Sequence, residues 1–346
     1  MAQEVTADGT TNTTVNSDGR GNFNIEQGDR AGNNLFHSFG DFSVPNNGSA
    51  AFNNATDISH IFSRVTGGNI SNIDGLIQAN GSANLFFINP AGIIFGDGAR
   101  LDIGGSFYGS SASSILFEDG EFSATNLENP PLLTINAPIG LGFRDQPGDI
   151  VNRSNFGLTS RVLDGDFSEE FAAESLTDAN SVGLQVNPQE TLALIGGDVV
   201  FENIAGVTAP EGTVELGGLS AAGTITLNND GSLTYPENVA RSNVSLTENS
   251  QVEVRGDNGG LININAKNLI LSERSKIFAG IAEDSGSVGS QAGDITINAT
   301  DSVKLIGSNR PFVGLGTEIN NHLGTAPNRR DNRDDPSNAT GMVGQL

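Results

Sequence analysis

Apolar and polar residues alternate along this chain in short bursts. Val, Ile, Leu, Phe and Thr recur at every second position, and Gly, Asn or Asp then interrupts them. That spacing predicts many short β-strands bounded by turns. Helical periodicity is nearly absent; the best candidate is Ser168–Leu176 (SEEFAAESL), with Ser168 as N-cap. The densest apolar stretch is Asn84–Gly96 (NLFFINPAGIIFG). There, Leu85–Ile88 and Ile93–Phe95 are held apart by Asn89, Pro90, Ala91 and Gly92. The four separating residues form either a hairpin turn or the corner of a coil that continues.

Internal repeats favour the corner. Gly260–Ala266 (GLININA) returns as Gly293–Ala299 (GDITINA), 33 residues on. Gly223–Asn228 (GTITLN) reads as a third copy. Val244–Val252 (VSLTENSQV) returns as Leu269–Ile277 (LILSERSKI) after 25 residues. Units this small cannot bury a face alone and must stack on their neighbours. Short strands, polar turns and this period predict an all-β parallel β-helix. Aliphatic side chains stack inward, polar ones point outward, and Asn occupies corners where it can form ladders. An antiparallel sandwich could use Asp74-Gly75, Asn80-Gly81, Asp97-Gly98 and Asp119-Gly120 as hairpin turns. It does not explain phrases that recur at 25 and 33 residues. In the β-helix reading, Leu85–Ile88 and Ile93–Phe95 lie on two faces of one coil. Pro90 fixes φ in the corner between them and Gly92 permits a positive φ.

Four regions follow. Residues 1–34 are expected as an N-terminal cap, since an open sheet edge invites aggregation. Residues 35–230 are the main β-helix domain, with a less regular, extra-helical insertion around 121–187 that holds Pro130-Pro131 and an acidic stretch, Asp164–Glu174. Residues 231–323 continue the repeats. Residues 324–346 read as a flexible tail or interrupted loop. The lack of a closing cap there suggests a longer repeat protein.

Composition narrows the function classes. The chain has 346 residues, 36% hydrophobic, with mean hydropathy -0.19. Lys+Arg number 17 against 41 Asp+Glu, a net charge of -24. That balance argues against nucleic acid and against an anionic membrane surface. No cysteine is present. Passage through a pore that a disulfide would jam is one reading; a core large enough to need no staples is the other. No run approaches the ~18 apolar residues of a membrane helix. Met1-Ala2-Gln3-Glu4 lacks a signal peptide, yet Ala2-Gln3 suits a mature start after cleavage.

The phrases NLFHSFGDFSVPNNGSAAFNN, IFSRVTGGNISNIDGLIQANGSANLFFINPAGIIFGDGARLDIGGSF and TLALIGGDVVFENIAGVTAPEGTVELGGL resemble the filamentous-haemagglutinin N-terminal domain. This is the secretion domain of two-partner-secretion exoproteins, in its cyanobacterial form, and the resemblance covers roughly Asn24–Leu227. It implies an N-terminal cap on a right-handed parallel β-helix. It implies recognition in the periplasm by the soluble domains of a dedicated outer-membrane transporter, export of the unfolded chain, and folding at the cell surface. A large surface adhesin acting as a monomer, with a host or matrix ligand, is the corresponding expectation. The family's Asn-Pro-Asn-Gly-Ile turn stands here as Asn89-Pro90-Ala91-Gly92-Ile93, with Ala91 replacing the second Asn. Asn89, Pro90, Gly92 and Ile93, with Asn72, are thereby implied as the region of transporter recognition or folding nucleation.

Catalytic motifs are sparse. The chain holds no G-x-S-x-G, H-E-x-x-H or Walker A sequence. His37, His60 and His322 lack metal-ligand spacing, and His37, among Phe36, Phe39 and Phe42, reads as cap packing. Asp164-Gly165-Asp166 begins like a calcium loop but has Glu169 and Ser175 where Gly and Glu are required. Neither metal nor cofactor is expected. A polysaccharide-cleaving or carbohydrate-binding β-helix is the alternative function, though three lysines and scattered arginines suit it poorly. Arg64 and Arg100 lie in the strand-dense region, and Arg100 is expected to pair with Asp97 or Asp102.

Overall fold

The computed structural model describes residues 4–127, 132–156, 183–282 and 285–307, and the backbone of 318–322. Among these the chain forms strands and turns and no helix. The helix expected at Ser168–Leu176, the Asp164 loop and the 324–346 tail lie outside the described residues.

Strands repeat in threes. Face A contains β5 (Asn34–Phe42), β7 (His60–Val65), β10 (Asn84–Ile88), β13 (Phe107–Ser110), β19 (Thr191–Gly196) and β22 (Thr213–Gly218). Face B contains β8 (Ser71–Ile73), β11 (Ile93–Phe95), β17 (Ile150–Asn152), β20 (Val199–Phe201) and β25 (Val244–Leu246). Face C runs through β3 (Asn22–Gln27), β6 (Ser49–Phe52), β9 (Leu76–Ala79) and β12 (Arg100–Asp102). It resumes with β18 (Leu184–Gln185), β21 (Gly206–Thr208), β26 (Gln251–Glu253), β28 (Lys276–Gly280) and β30 (Glu318–His322). The long strands β27 (Leu261–Ser272) and β29 (Ile295–Ile306) turn from face A into face B. Rungs pair in parallel with the equivalent rung of the next coil, apart from a break between β12 and β18 on face C. The molecule is a parallel β-helix.

Register explains the alternation. Leu35, Ile61, Leu85, Phe107, Leu192, Val214, Ile262 and Ile295 are successive partners on face A, and all are buried. Sliding any rung by one residue would expose such a column, which fixes the register. At the corner entering face B, Asp198, Asn243, Asn268 and Ser302 form a hydrogen-bonded ladder from coil to coil. This is the corner ladder that the Asn-rich turns predicted.

The repeated phrases stack as expected: Ile262 opposes Ile295, Ala266 opposes Ala299, and Val244 opposes Leu269. The third copy does not. Gly223–Leu227 is β23, in a five-stranded antiparallel sheet outside the β-helix, ordered β15-β14-β16-β23-β24. The others are β14 (Ser114–Phe117), β15 (Gly120–Ser123), β16 (Gly140–Phe143) and β24 (Leu233–Thr234). Two insertions build it, both leaving at the end of a face-A rung, after β13 and after β22. Ile225 faces this sheet's own core rather than the coil interior. Alternation marks a strand with one buried face, but does not say which core receives it. Within the stretch expected as insertion, Ile150–Asn152 is a regular face-B rung.

The outer side of face A supplies the second core. Phe36, Phe62, Phe86 and Tyr108 stack rung upon rung, with centroids 5.1, 5.2 and 4.4 Å apart. Phe117 and Phe122 from β14 and β15 meet them edge-on or tilted. Burying each such ring stabilises by about 2–3 kcal/mol.

The N-terminal end is closed by antiparallel pieces. β1 (Val5–Ala7) and β4 (Asp29–Ala31) both pair with β5, while β2 (Thr13–Ser17) pairs with β3. His37 is core packing here, as its Phe neighbours suggested. It is 1% exposed, stacks with Phe39, meets Phe52 edge-on, and shares a 3.0 Å hydrogen bond with Thr13 Oγ1. Burial pulls its pKa down to about 3, so the ring is neutral.

Candidate functional site

The corner at Asn89 lies where face A turns into face B, between β10 and β11. The Gly92 amide donates to Asn89 O over 2.9 Å, closing a turn with Pro90 in its second position, where a fixed φ is an advantage. Gly92 has φ +111, and a Cβ there would lie 2.7 Å from Asp149 O. Only glycine fits that conformation without strain.

Asn89 organises the corner. Its side chain is fully buried and every polar group on it is used. Nδ2 donates to Asn69 O and Ser71 Oγ of the preceding coil, both over 2.9 Å, and Oδ1 accepts the Ala91 amide over 3.0 Å. The backbone ties forward: Asn89 N donates to Ser110 O, Ile93 N to Asp149 O, and Gly148 N to Pro90 O. One residue therefore links three successive coils. Ile93 is fully buried, opposite Ser71 and Ile150.

Pro90 and Ala91 are half-buried at the surface of the corner. Asn72 sits on the preceding coil and opposes Ile94, not Asn89. Its amide donates to Ser43 Oγ and its Nδ2 to Ile70 O. The five residues singled out in the sequence thus share one edge of two adjacent coils. Asn89, Gly92 and Ile93 are internal, while Asn72 and Pro90 are at the surface.

Two buried charged residues carry roles that no sequence motif signalled. Arg64 is 2% exposed on the outer side of face A. Its guanidinium donates to Ser38 Oγ, to Thr10 Oγ1 and to Ser123 O, and lies 4.4 Å from the Phe122 ring centroid. It joins the cap, the first coil and the outer sheet. Desolvation lowers its pKa, opposed by nearby Asp8. Glu215 is fully buried beneath β24. Its Oε1 accepts from Asn263 Nδ2 and the Leu233 amide, while Oε2 has no partner. Desolvation pushes its pKa up to about 7. Arg100 corrects an expectation: it is exposed and forms no ion pair with Asp97 or Asp102. Asp102 instead accepts from Gln78 Nε2. Among the described residues, no three His, Asp or Glu side chains converge to hold a metal ion.

The sequence model of the TPS secretion domain matches residues 3–271. The chain belongs to the TPS secretion domain family. Solved structures that resemble it include two secretion domains. The HMW1 secretion domain from Haemophilus influenzae is 16% identical, with TM-score 0.44, covering 94% of this chain and 83% of that one. The filamentous hemagglutinin secretion domain is 13% identical, with TM-score 0.49, covering 92% of this chain and 100% of that one. No curated protein sequence matches. A TPS domain is the exported part of a two-partner-secretion system and implies an outer-membrane transporter as its partner. TPS secretion domains are not enzymes.

Proposed function

We propose that this TPS domain is recognised by the periplasmic soluble domains of its cognate transporter through the Asn72 and Asn89–Ile93 region while unfolded. It then folds coil by coil outside the cell. The observation that carries this reading is the burial of Asn89, Gly92 and Ile93. A transporter can read these side chains only before the coils close over them. An extended segment alternating apolar and polar residues suits addition to a sheet edge. After export the same residues change role: Asn89 joins its coil to the one before and the one after, so the corner nucleates stacking. Each added coil buries more apolar surface on the outer side, which makes return unfavourable.

Secretion of variants with the cognate transporter tests this. Asn89→Ala is expected to lower the secreted yield and to slow refolding of the purified domain. Pro90→Ala with Ala91→Ser, which alters the exposed part of the turn and leaves the buried side-chain contacts of Asn89 in place, separates the two roles. If that pair is secreted and refolds normally, nucleation is the dominant role. If it refolds normally but is not secreted, direct recognition is. Normal secretion and refolding of Asn89→Ala would refute both.

A further inference from the structure

The three faces of the β-helix have unlike outer sides. Face A is roofed by the five-stranded sheet. The outer side of face C is largely polar and paired: Gln78 with Asp102, Gln251 with Glu253, and Arg255 with Glu253, while Arg255 and Lys276 cover Phe278. Face B carries no roof, and its polar pairing is confined to Arg153 with Glu202 at the strand ends. Its outward column runs Ile94, Val151, Val200, Ser245, Ile270 in unbroken parallel register. The four aliphatic members are half-buried and pack into neither hydrophobic core. Polar Asn72 stands at one end and Lys304 at the other.

Carboxylates flank this column. Asp149 is exposed where the strands begin; Asp97, Glu248 and Glu273 are exposed where they end. The face-B rungs are three residues long, so the apolar strip between Asp149 and the carboxylates at the other end is about 10 Å wide. That equals the width of one α-helix, about 10–12 Å. Four coil spacings from Ile94 to Ile270 give about 19 Å, the length of about 13 helical residues.

We propose that the outer side of face B docks a basic amphipathic helix of a partner protein. Its apolar stripe lies on Ile94, Val151, Val200 and Ile270, and its lysines or arginines lie over the flanking carboxylates. Charge selects this occupant. A second copy of the chain brings its own net charge of -24, and an anionic bilayer repels the same carboxylates. Recognition by a helix with anchors at its apolar positions is a known mode. The surface exists only in the folded domain, so it is separate from capture by the transporter.

The probe is a synthetic Leu/Lys amphipathic helix of about 13 residues, with a Leu/Glu peptide of the same pattern as control. Fluorescence anisotropy at low and high salt reads binding to the intact domain. Binding of the Leu/Lys peptide, weakened by salt, is expected. Val200→Lys is expected to weaken it about tenfold, because an apolar contact is lost and a like charge gained. Gln78→Lys on face C makes the same charge change and is expected to leave it within about twofold. Val151→Thr with Val200→Thr preserves shape and is expected to weaken it too, which guards against a folding defect in the lysine variant. Equal affinity of all variants, equal weakening by Gln78→Lys, no binding by the wild type, or equally tight Leu/Glu binding would each overturn the proposal.

Discussion

Replacing Glu215 with Gln should make the domain more stable at neutral and alkaline pH, and by a calculable amount. Glu215 is fully buried, hydrogen-bonded through Oε1 to Asn263 and Leu233, with Oε2 unpartnered. Around it lie Tyr108, Tyr235 and Asp230, and Arg241 sits over the Tyr235 ring. Desolvation holds the carboxyl at about 7 against the ordinary 4.5. The folded state therefore keeps a proton that the unfolded chain releases. Stability contributed by the neutral acid is complete below pH 4.5, falls between 4.5 and 7, and is lost above that. The span of about 2.5 units corresponds to about 3 kcal/mol. Glutamine has the same shape, keeps both Oε1 hydrogen bonds and does not titrate. Urea unfolding of both proteins from below pH 4.5 to above pH 7 reads the effect. The curves should converge at the acid end, with the wild type falling below Glu215→Gln by about 3 kcal/mol at the alkaline end. A parallel pH dependence in the two proteins would refute the reasoning.

Other residues give equally direct outcomes. Arg64→Ala leaves Ser123 O and two hydroxyls without a buried cationic donor and should cost about 3 kcal/mol; protease cutting in the cap and near Ser123 should rise with it. Arg64→Lys should recover little of that loss, since an ammonium cannot span the three acceptors that the guanidinium reaches. Gly92→Ala forces a side chain into φ +111 against Asp149 O, and should cost about 1–3 kcal/mol by thermal unfolding. Phe62→Ala removes the middle of the aromatic column and should cost about 3–5 kcal/mol, with loss of near-ultraviolet dichroism as a second readout.

Much of the architecture was legible in the chain because a β-helix repeats its instructions. The phrases beginning at Gly260 and Gly293 fall opposite each other because both obey one register. The Asn89 corner was legible for a similar reason: Pro has few conformations to choose from, and Gly alone accepts the positive φ that such a turn demands. What was hidden depends on contacts between distant segments. Gly223–Leu227 carries the same local pattern as a rung, yet its partner strand β16 draws it into the outer sheet. Arg64 and Glu215 sit on the outward side of face A, where sequence reasoning expects solvent. Only the roof assembled from two insertions turns that side into an interior. The aromatic run Phe36, Phe62, Phe86, Tyr108 was the available clue, since four aromatic rings at equivalent outward positions call for a cover.

The most direct test of the account uses the absence of native cysteine. Ile94 and Val151 are 57 positions apart in the chain yet opposite each other on adjacent parallel rungs. Cysteines at both positions should lie about 5 Å apart and crosslink quantitatively on mild oxidation of the folded domain. A pair shifted by one residue, at Ile94 and Asn152, points to opposite faces and should stay reduced. Crosslinking of the shifted pair, or none at Ile94 and Val151, would contradict the stacked coils from which the corner, the roof and the bare face all follow.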